Sequence, residues 1–341
     1  MKRYSSMNEM WTDACRTLRE LGESHASRAG DSIEVVGWSG RLVCTDNNLL
    51  TSRIRRLDPA YACAELLWYL SGERAVERMC AYAPQYKRFA NPQSEDGIAF
   101  GAYGHRWRNN PGFKEARNVV EHLKGYDLSS QLDAAVALLE AKPETRQAVV
   151  TMWDSGDLCE AIIGRVNDLP CTLSMQFIRR GDRLHCSVCM RSNDIWLGMP
   201  YDVFCFTSIQ RLVARRLSLR AGVYVHNVGS LHAYVRDFDK GFDLDAACTT
   251  YDVAYGHGYS EDDFTQRAGR QWDIDEALAI ERKARAGADM RDVNFAPGGL
   301  LGDAAIVCAA GLAKRRQSMP VVLNDGVSVA LRKAWELKYP D

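Results

Sequence analysis

A cysteine that directly follows a proline is the first feature of this sequence whose residue types could do chemistry. Cys171 stands behind Pro170 at the start of a strand-like segment, and a partly exposed cysteine close to positive charge acts as a nucleophile. Arg191 and Ser192 stand side by side further along the chain, and an arginine fork beside a hydroxyl suits a phosphate group. A buried structural cysteine and a solvated turn would explain the same residues, so both interpretations stay open here.

A carboxylate interrupts the apolar run YACAELLWYL at Glu65. Burying a carboxylate among apolar side chains costs free energy unless the group is paired or functional. Glu65 is therefore either a helix residue with a satisfied partner or a general acid/base whose pKa is raised by its apolar surroundings.

The candidate residues lie in or beside segments whose pattern predicts regular structure. Apolar spacing and end signals predict helices in MNEMWTDACRTLRELG, PAYACAELLWYLSG, SSQLDAAVALLEAKPETR, YDVFCFTSIQRLVARRL and AAIVCAAGLAKRRQ. Alternating or β-branched residues predict strands in DSIEVVGWSGRLVC, RQAVVTMWD, CTLSMQFIRR, RLHCSVCMR and AGVYVHNVGSLHAYV. Because strands and helices alternate while some strands are neighbours, we expect an α/β or α+β fold with a mixed sheet.

Composition narrows the class of protein. The 341 residues, of which 46% are hydrophobic, suffice for one large domain or two small ones. A net charge of −1 argues against a nucleic-acid partner, although a local arginine cluster can still bind a small anion. The polar N-terminus and the lack of a long apolar run predict neither a signal peptide nor a membrane span.

The cysteines indicate a reducing compartment and no metal. The sequence has 11 cysteines, an odd and widely spread set, which predicts a cytoplasmic protein, in the host cytoplasm if the source is viral. Cys186 and Cys189 form a Cys-x-x-Cys that is typical of zinc sites. No second pair has metal-ligand spacing and the stretch alternates like a strand, so we expect no metal site.

Further motifs accompany these residues at consistent spacing. They are Pro170-Cys171, Gln176-Phe177, Arg191-Ser192-Asn193-Asp194 and Leu197-Gly198-Met199-Pro200, together with AELLWYLSG around Glu65, FGAYGHRWR around Tyr103 and Trp107, ETRQAVVTMWD around Arg146 and GSLHAYVRDF around His232 and Tyr234. From about residue 8 to about residue 240, this set resembles the signature of the thymidylate synthase superfamily.

The resemblance implies a fold and a co-substrate. The fold is a large twisted mixed sheet with helices, and two such sheets pack back to back in a homodimer. We place a catalytic domain at residues 1–289 and a C-terminal extension, packed on the same domain, at residues 290–341. The co-substrate is 5,10-methylenetetrahydrofolate, which supplies a one-carbon unit for C5 of a pyrimidine nucleotide.

The resemblance also assigns roles to individual residues. Cys171 is the nucleophile, while Glu65 and Tyr103 manage protons. Substrate contacts fall on Arg28, Arg146, Gln176, Arg191, Ser192, Asp202, His232 and Tyr234, and folate contacts fall on Asp194, Tyr86, Trp107 and Gly198. Arg146 reaches the phosphate of the partner subunit. The family's second interface arginine is Gln147 here, so we expect a phosphate clamp that is weaker by one charge.

Asp202 departs from the thymidylate pattern, which has an asparagine at this position. Uracil offers O4 as acceptor and N3–H as donor, and an amide matches both. Cytosine offers a donating N4 amine, and its N3 becomes basic enough to carry a proton after attack at C6, so a carboxylate accepts from both atoms. In this respect the sequence is most similar to the family's cytidylate hydroxymethylases. An N-cap role for Asp202 in the helix that follows is the alternative.

Other departures favour hydration over reduction. Tyr86 and Phe89 stand where the family has two tryptophans, and a smaller, hydroxylated ring admits water. The C-terminus lacks the short apolar tail that closes over folate, so we expect the lid that supports hydride transfer to be missing or rebuilt. Thr172 replaces the histidine that usually follows the nucleophile, which changes the polar network around the base and favours neither reaction.

We therefore predict a hydroxymethyltransferase that acts on dCMP, or on CMP as in a nucleoside-antibiotic pathway. The alternatives are a dUMP or dCMP C5 methylase and a protein that binds a nucleotide or a messenger without catalysis.

Overall fold

The computed structural model describes residues 1–27, 30–43, 45–89, 97–124, 128–166, 168–238, 243–249, 274–288, 299–316, 323 and 327–340. The strands in this part are β1 (Lys2–Tyr4), β2 (Glu23–Ser27), β3 (Gly30–Leu42), β4 (Val149–Thr151), β5 (Thr172–Arg180), β6 (Arg183–Asp194) and β7 (Arg220–Tyr234). The helices are α1 (Met7–Leu21), α2 (Pro59–Ser71), α3 (Glu77–Cys80), α4 (Tyr103–Asn109), α5 (Pro111–Lys124), α6 (Gln131–Ala141), α7 (Gly156–Ile163), α8 (Met199–Arg216), α9 (Val235–Phe238), α10 (Leu244–Thr249), α11 (Ile274–Arg285), α12 (Gly299–Arg315) and α13 (Val329–Lys338). Two 3-10 helices cover Thr45–Asn47 and Pro84–Phe89.

The seven strands form one mixed sheet, which confirms the predicted fold class. Its order is β1-β3-β7-β6-β5-β4. Strand β2 pairs with the first residues of β3, from Gly30 to Glu34. The pairs β1/β3 and β6/β7 are parallel, and the others are antiparallel. In β6, buried and half-buried residues alternate from Arg183 to Met190, because successive side chains point to opposite faces of a sheet. The back-to-back homodimer stays a prediction.

Helix α2 begins and ends where the sequence predicts. Asp58 accepts hydrogen bonds from the backbone N–H groups of Ala60 and Tyr61, and a proline occupies the first turn. At the other end, Gly72 adopts a left-handed conformation with φ of 72°, which favours glycine. Between these ends nearly every side chain is buried, so Glu65 lies in the middle of an apolar helix.

The helices after residue 273 cover α2. The backbone of Gly311 in α12 passes so close to Ala60 that an added Cβ would lie 2.3 Å from the methyl group of Ala60. The buried Glu281 in α11 pairs with Arg78 at 2.8 Å and accepts a hydrogen bond from the Tyr82 hydroxyl at 3.0 Å. A buried ion pair is stable only when its charged groups are also well hydrogen-bonded. These contacts therefore fix α11 against the chain around α3.

The Cys-x-x-Cys of β6 does not bring two thiols together. Cys186 is buried on the core face of the sheet, while Cys189 is half-buried, since residues three apart in a strand point to opposite faces. Among the described residues, no group of three or more His, Cys, Asp or Glu side chains can hold a metal ion. No helix in the described part is both long and apolar enough to cross a membrane.

Candidate active site

A cavity of about 990 Å³ opens where the ends of β5, β6 and β7 meet α2 and α8. This volume is at the upper end for ligand pockets. Eleven of the predicted site residues line it, namely Glu65, Tyr86, Tyr103, Cys171, Arg191, Ser192, Asp194, Gly198, Asp202, His232 and Tyr234. The sequence therefore identifies residues from six separate segments that the fold brings together.

Three predicted site residues that the structure describes do not line the cavity. Arg146 is exposed on the surface, outside the residues that line the cavity. The side chain of Gln176 donates to the carbonyl oxygen of Arg146 at 2.7 Å and is likewise not part of the cavity wall. Trp107 is fully buried and packs edge-on against Tyr69 in the core, so it supports the wall from behind. Arg28 lies outside the described residues.

Cys171 stands immediately before β5, opposite the end of β6. An Nη2–H of Arg191 points to its sulfur at 3.6 Å, and the Ser192 hydroxyl does so at 3.8 Å. Burial raises the pKa of the Cys171 thiol, whereas Arg191 and Ser192 lower it. The sulfur thus has the positive charge and the hydrogen-bond donor that stabilise a thiolate.

Glu65 faces the cavity from the middle of α2. Its Oε1 accepts a hydrogen bond from the Tyr61 hydroxyl at 3.2 Å. Burial and, second to it, the charge of Asp202 raise the pKa of Glu65 from 4.5 to about 8, although the hydroxyls of Tyr61 and Tyr69 act in the opposite direction. At neutral pH the side chain is therefore protonated and able to act as an acid.

Asp202 lies buried in the first turn of α8. Its Oδ2 accepts a hydrogen bond from Asn193 Nδ2 at 2.8 Å. Burial raises the pKa of Asp202 to about 7, Asn193 lowers it, and the charge of Asp194 raises it. Because Glu65 and Asp202 repel each other when both are charged, the pair retains a proton near neutral pH.

A chain of hydrogen bonds fixes the orientation of Asn193. Its Oδ1 lies 2.8 Å from His226 Nε2, and His226 Nδ1 lies 2.8 Å from the Tyr224 hydroxyl. Burial lowers the pKa of His226 to about 3, so the ring is neutral and carries one proton. With the Asn193 amide nitrogen turned to Asp202, that proton sits on Nε2, and Nδ1 accepts from Tyr224.

His232, Asp194 and Tyr103 are further polar residues that line the cavity. His232 Nε2 is buried and, among the described residues, makes no hydrogen bond, so it is available to a ligand hydroxyl. Asp194 Oδ1 accepts from the backbone N–H groups of Trp196 and Leu197 at 2.7 and 3.0 Å. The Tyr103 hydroxyl accepts from the Thr172 backbone N–H at 3.3 Å, which places Tyr103 beside Cys171.

The sequence reasoning missed several residues of this site. Asp168 lines the cavity, and the chain of Asn193, His226 and Tyr224 lies directly behind Asp202. From the C-terminal helices, Arg315, Lys338 and Tyr339 also reach the cavity. A histidine within the apolar strand AGVYVHNVG is the one sequence signal that could have indicated a buried polar network.

Comparison with known proteins agrees with this geometry. The model of the family described as thymidylate synthase matches residues 9–245, which is more than half of the chain. The chain belongs to the thymidylate synthase family. One relative, "Thymidylate synthase 1/2" of Encephalitozoon cuniculi (strain GB-M1), is 28% identical over 240 residues, which cover 67% of this chain and 79% of the relative.

Family membership sets the class of reaction. The family transfers a one-carbon unit from 5,10-methylenetetrahydrofolate to a pyrimidine nucleotide, and this chain is a transferase of that family. Rings of Tyr61, Trp68, Tyr86 and Trp196 line the cavity together with the polar residues around Cys171. Aromatic walls of this kind suit a pterin ring.

Proposed function

We propose that this enzyme transfers a one-carbon unit from 5,10-methylenetetrahydrofolate to C5 of a cytosine nucleotide monophosphate, and that water completes the reaction to the 5-hydroxymethyl product. dCMP is the favoured substrate, and CMP is the alternative. The observation that carries the proposal is the buried carboxyl of Asp202, held by Asn193 near Glu65.

Asp202 suits cytosine because N3 of this base takes up a proton during the reaction. Thiolate addition to C6 makes N3 basic, so N3 takes a proton and both N3 and the N4 amine then donate. A carboxylate accepts from both, and such charge-assisted bonds contribute about 1.5–3 kcal/mol each. With a pKa of about 7, Asp202 carries a proton near neutral pH that it can pass to N3 during the addition.

Cys171 begins the reaction. Its thiolate, stabilised by Arg191 and Ser192, adds to C6 and makes C5 nucleophilic. 5,10-Methylenetetrahydrofolate supplies the one-carbon unit at C5 and leaves as tetrahydrofolate. Tyr103 assists the removal of the C5 proton, and Glu65 manages the proton transfers through ordered water.

Hydration ends the reaction. Loss of tetrahydrofolate leaves an electrophilic exocyclic methylene group on C5, which Tyr86 borders from the aromatic wall. Tyr86 packs edge-on against Trp68 with 5.5 Å between the ring centres. Water adds to the methylene carbon, and the ring expels Cys171 as a thiolate to give 5-hydroxymethylcytidylate.

The sugar and the phosphate of the nucleotide contact different residues. His232, whose Nε2 makes no hydrogen bond within the part of the chain that the structure describes, and Tyr234 bind the sugar 3′-hydroxyl. Arg191 and Ser192 bind the phosphate. We also propose that a second copy of the chain supplies Arg146, which is exposed in one copy, as in the family's back-to-back homodimers. Asp194 and Gly198 contact the pterin.

The C-terminal extension is proposed to belong to the same domain and to replace the tail that closes over folate in the synthases. Helices α12 and α13 pack on α2. The Tyr339 hydroxyl, at the end of α13, donates to Asp58 at 3.4 Å, and Arg315 pairs with the same carboxylate. These contacts bring the extension to the cavity rim.

Mass spectrometry of the products tests the function. CMP, dCMP and dUMP are incubated in parallel with the enzyme and 5,10-methylenetetrahydrofolate. We expect a product heavier by CH2O from dCMP, and tetrahydrofolate rather than dihydrofolate by absorbance. A methylated product together with dihydrofolate would instead identify a C5 methylase, and nucleotide binding without tritium release from 5-tritiated dCMP would identify a binding protein.

A further inference from the structure

Asp168 is a carboxylate in the cavity wall that the mechanism above does not use. It lies three residues before Cys171, and both residues line the cavity. The backbone N–H of Gly101 donates to its Oδ2 at 3.1 Å. Among the described residues no donor bonds its second oxygen, Oδ1, so this atom is available to a ligand or a water molecule.

The turn that carries Asp168 is held from two sides. A Cβ on Gly101 would lie 2.8 Å from the carbonyl oxygen of Asp168 and 3.0 Å from the nitrogen of Pro170, so the close approach requires glycine. Arg191 donates to the carbonyl oxygens of Leu169 and Pro170 at 3.0 and 2.9 Å. Backbone contacts thus fix the carboxylate relative to the nucleophile that follows it.

Charged and titratable groups from several elements face Asp168. Burial raises its pKa to about 6, while the Gly101 N–H and the guanidinium groups of Arg106 in α4 and Arg191 in β6 lower it. Asp168 is the charged group that acts most strongly on the hydroxyl of Tyr86. Asp168 and Tyr86 line the same cavity, in which Tyr86 meets the C5 substituent in the proposed reaction.

We propose that Asp168 is the general base that activates the water which hydrates the methylene carbon, an inference that rests on the function proposed above. The water oxygen bonds to the exocyclic methylene carbon, and the water proton moves to Oδ1 of Asp168. The electron pair of the exocyclic double bond moves into the ring and re-forms the C5–C6 double bond. The C6–S bond breaks, and Cys171 leaves as a thiolate. Asp168 then releases its proton to solvent, so the step needs no oxidant or reductant.

Glu65 and Asp202, two other carboxyls that line the cavity, suit this step less well. Glu65 holds its proton at neutral pH because of its pKa of about 8, so it serves as an acid. Asp202 accepts a hydrogen bond from Asn193 and binds the edge of the base. Asp168, with its pKa of about 6, is charged at neutral pH, and it lines the cavity only three residues before Cys171.

A single-turnover experiment separates hydration from the earlier steps. Excess enzyme is mixed with 5-tritiated dCMP and 5,10-methylenetetrahydrofolate, and tritium release and hydroxymethyl product are followed over time. For Asp168→Asn, which keeps the acceptor for Gly101, we expect tritium release within about threefold of the parent rate and product formation slowed about 10²-fold, as for loss of a general base. Nucleotide that has released tritium but has not yet formed product accumulates as a covalent enzyme–nucleotide adduct. Mass spectrometry of the quenched protein detects this adduct.

Two further measurements distinguish a base from a structural residue. Formate added to Asp168→Ala restores product formation at least tenfold if a carboxylate base is missing, and it does so without changing tritium release. The matched control is Asp182→Asn, a change of the same type at an exposed carboxylate in the turn between β5 and β6, which is expected to behave like the parent.

Several results would overturn the inference. If product formation and tritium release slow by the same factor, Asp168 has a role in binding or folding. The same conclusion follows if the KM for folate rises while the ratio of product formation to tritium release stays unchanged. Absence of rescue by formate would also exclude the base. If the parent enzyme gives a methylated product and dihydrofolate, the proposed function itself fails, which the product masses reveal independently of any variant.

Discussion

Replacing Asp202 by asparagine tests the base-recognition argument with a change of one atom. Asn193 Nδ2 donates to Oδ2 of Asp202, and Asn193 is itself held by the Nε2–H of His226. In Asp202→Asn the new amide must therefore turn its oxygen to Asn193 and its NH2 group to the cavity. That NH2 group can donate to O4 of uracil, but it meets the N4 amine of cytosine donor to donor.

The magnitude follows from the hydrogen bonds that change. Cytosine loses one charge-assisted bond, about 1.5–3 kcal/mol, and leaves a buried donor unpaired, about 1–3 kcal/mol. Together these effects disfavour the cytosine transition state by roughly 3–5 kcal/mol, which corresponds to a roughly 10²- to 10⁴-fold shift in the kcat/KM ratio of dUMP to dCMP.

The assay is a competition. Equimolar dCMP and dUMP are incubated with the enzyme and 5,10-methylenetetrahydrofolate, and mass spectrometry gives the ratio of the products, which equals the ratio of kcat/KM values. Asp182→Asn, on the exposed turn between β5 and β6, is the matched control. A product ratio for Asp202→Asn within twofold of the control would show that Asp202 does not read the base edge.

Three other changes have expected outcomes. Cys171→Ser should abolish turnover because a hydroxyl is a far weaker nucleophile than a thiolate, while calorimetry should give a nucleotide Kd within about threefold of the parent, since the arginine and serine beside the sulfur remain. Tyr86→Trp should lower the yield of hydroxymethyl product per covalent adduct about tenfold by excluding water, as read from product and adduct masses. Folding raises the pKa of Glu65 from 4.5 to about 8, so the native state keeps a proton that the unfolded chain loses and stability falls as pH rises through that window. The gain in the free energy of unfolding of Glu65→Gln over the parent should therefore be larger at pH 8 than at pH 4, by about a few kcal/mol. Thermal unfolding of both proteins at both pH values measures this difference.

The sequence predicts those parts of the fold whose signals are local. Helix α2 is recognisable from Pro59, from the apolar run and from Gly72 at its end, and the structure confirms its bounds. The long strands β3, β5, β6 and β7 are also confirmed, because alternation along a strand reflects its two faces. Strand β2 was not predicted. Its residues Glu23–Ser27 are all exposed, so no apolar alternation marks it.

The candidate site could be predicted only where chemistry leaves a motif. Cys171, Glu65 and Arg191 stand in recognisable motifs, although they are far apart in the chain. The hydrogen-bond chain behind Asp202 depends on how β6 and β7 pair: His226 lies beside Val188 in their parallel register, and its Nε2 lies 2.8 Å from Asn193 Oδ1. Nothing in the sequence specifies a parallel register, so this network needed the structure.

Three of the carboxyls that line the cavity, those of Glu65, Asp202 and Asp168, are expected to divide the protons among different tasks. Near neutral pH Glu65 keeps its proton, Asp202 is close to half-protonated, and Asp168 is charged, since their pKa values are about 8, 7 and 6. Hydride reduction of a methylene group needs no base beside it, and a base that activates water would divert that reaction. Hydration needs such a base, and cytosine needs a proton that can move between N3 and its partner. We therefore expect this graded set of carboxyls to favour water over hydride at the methylene carbon.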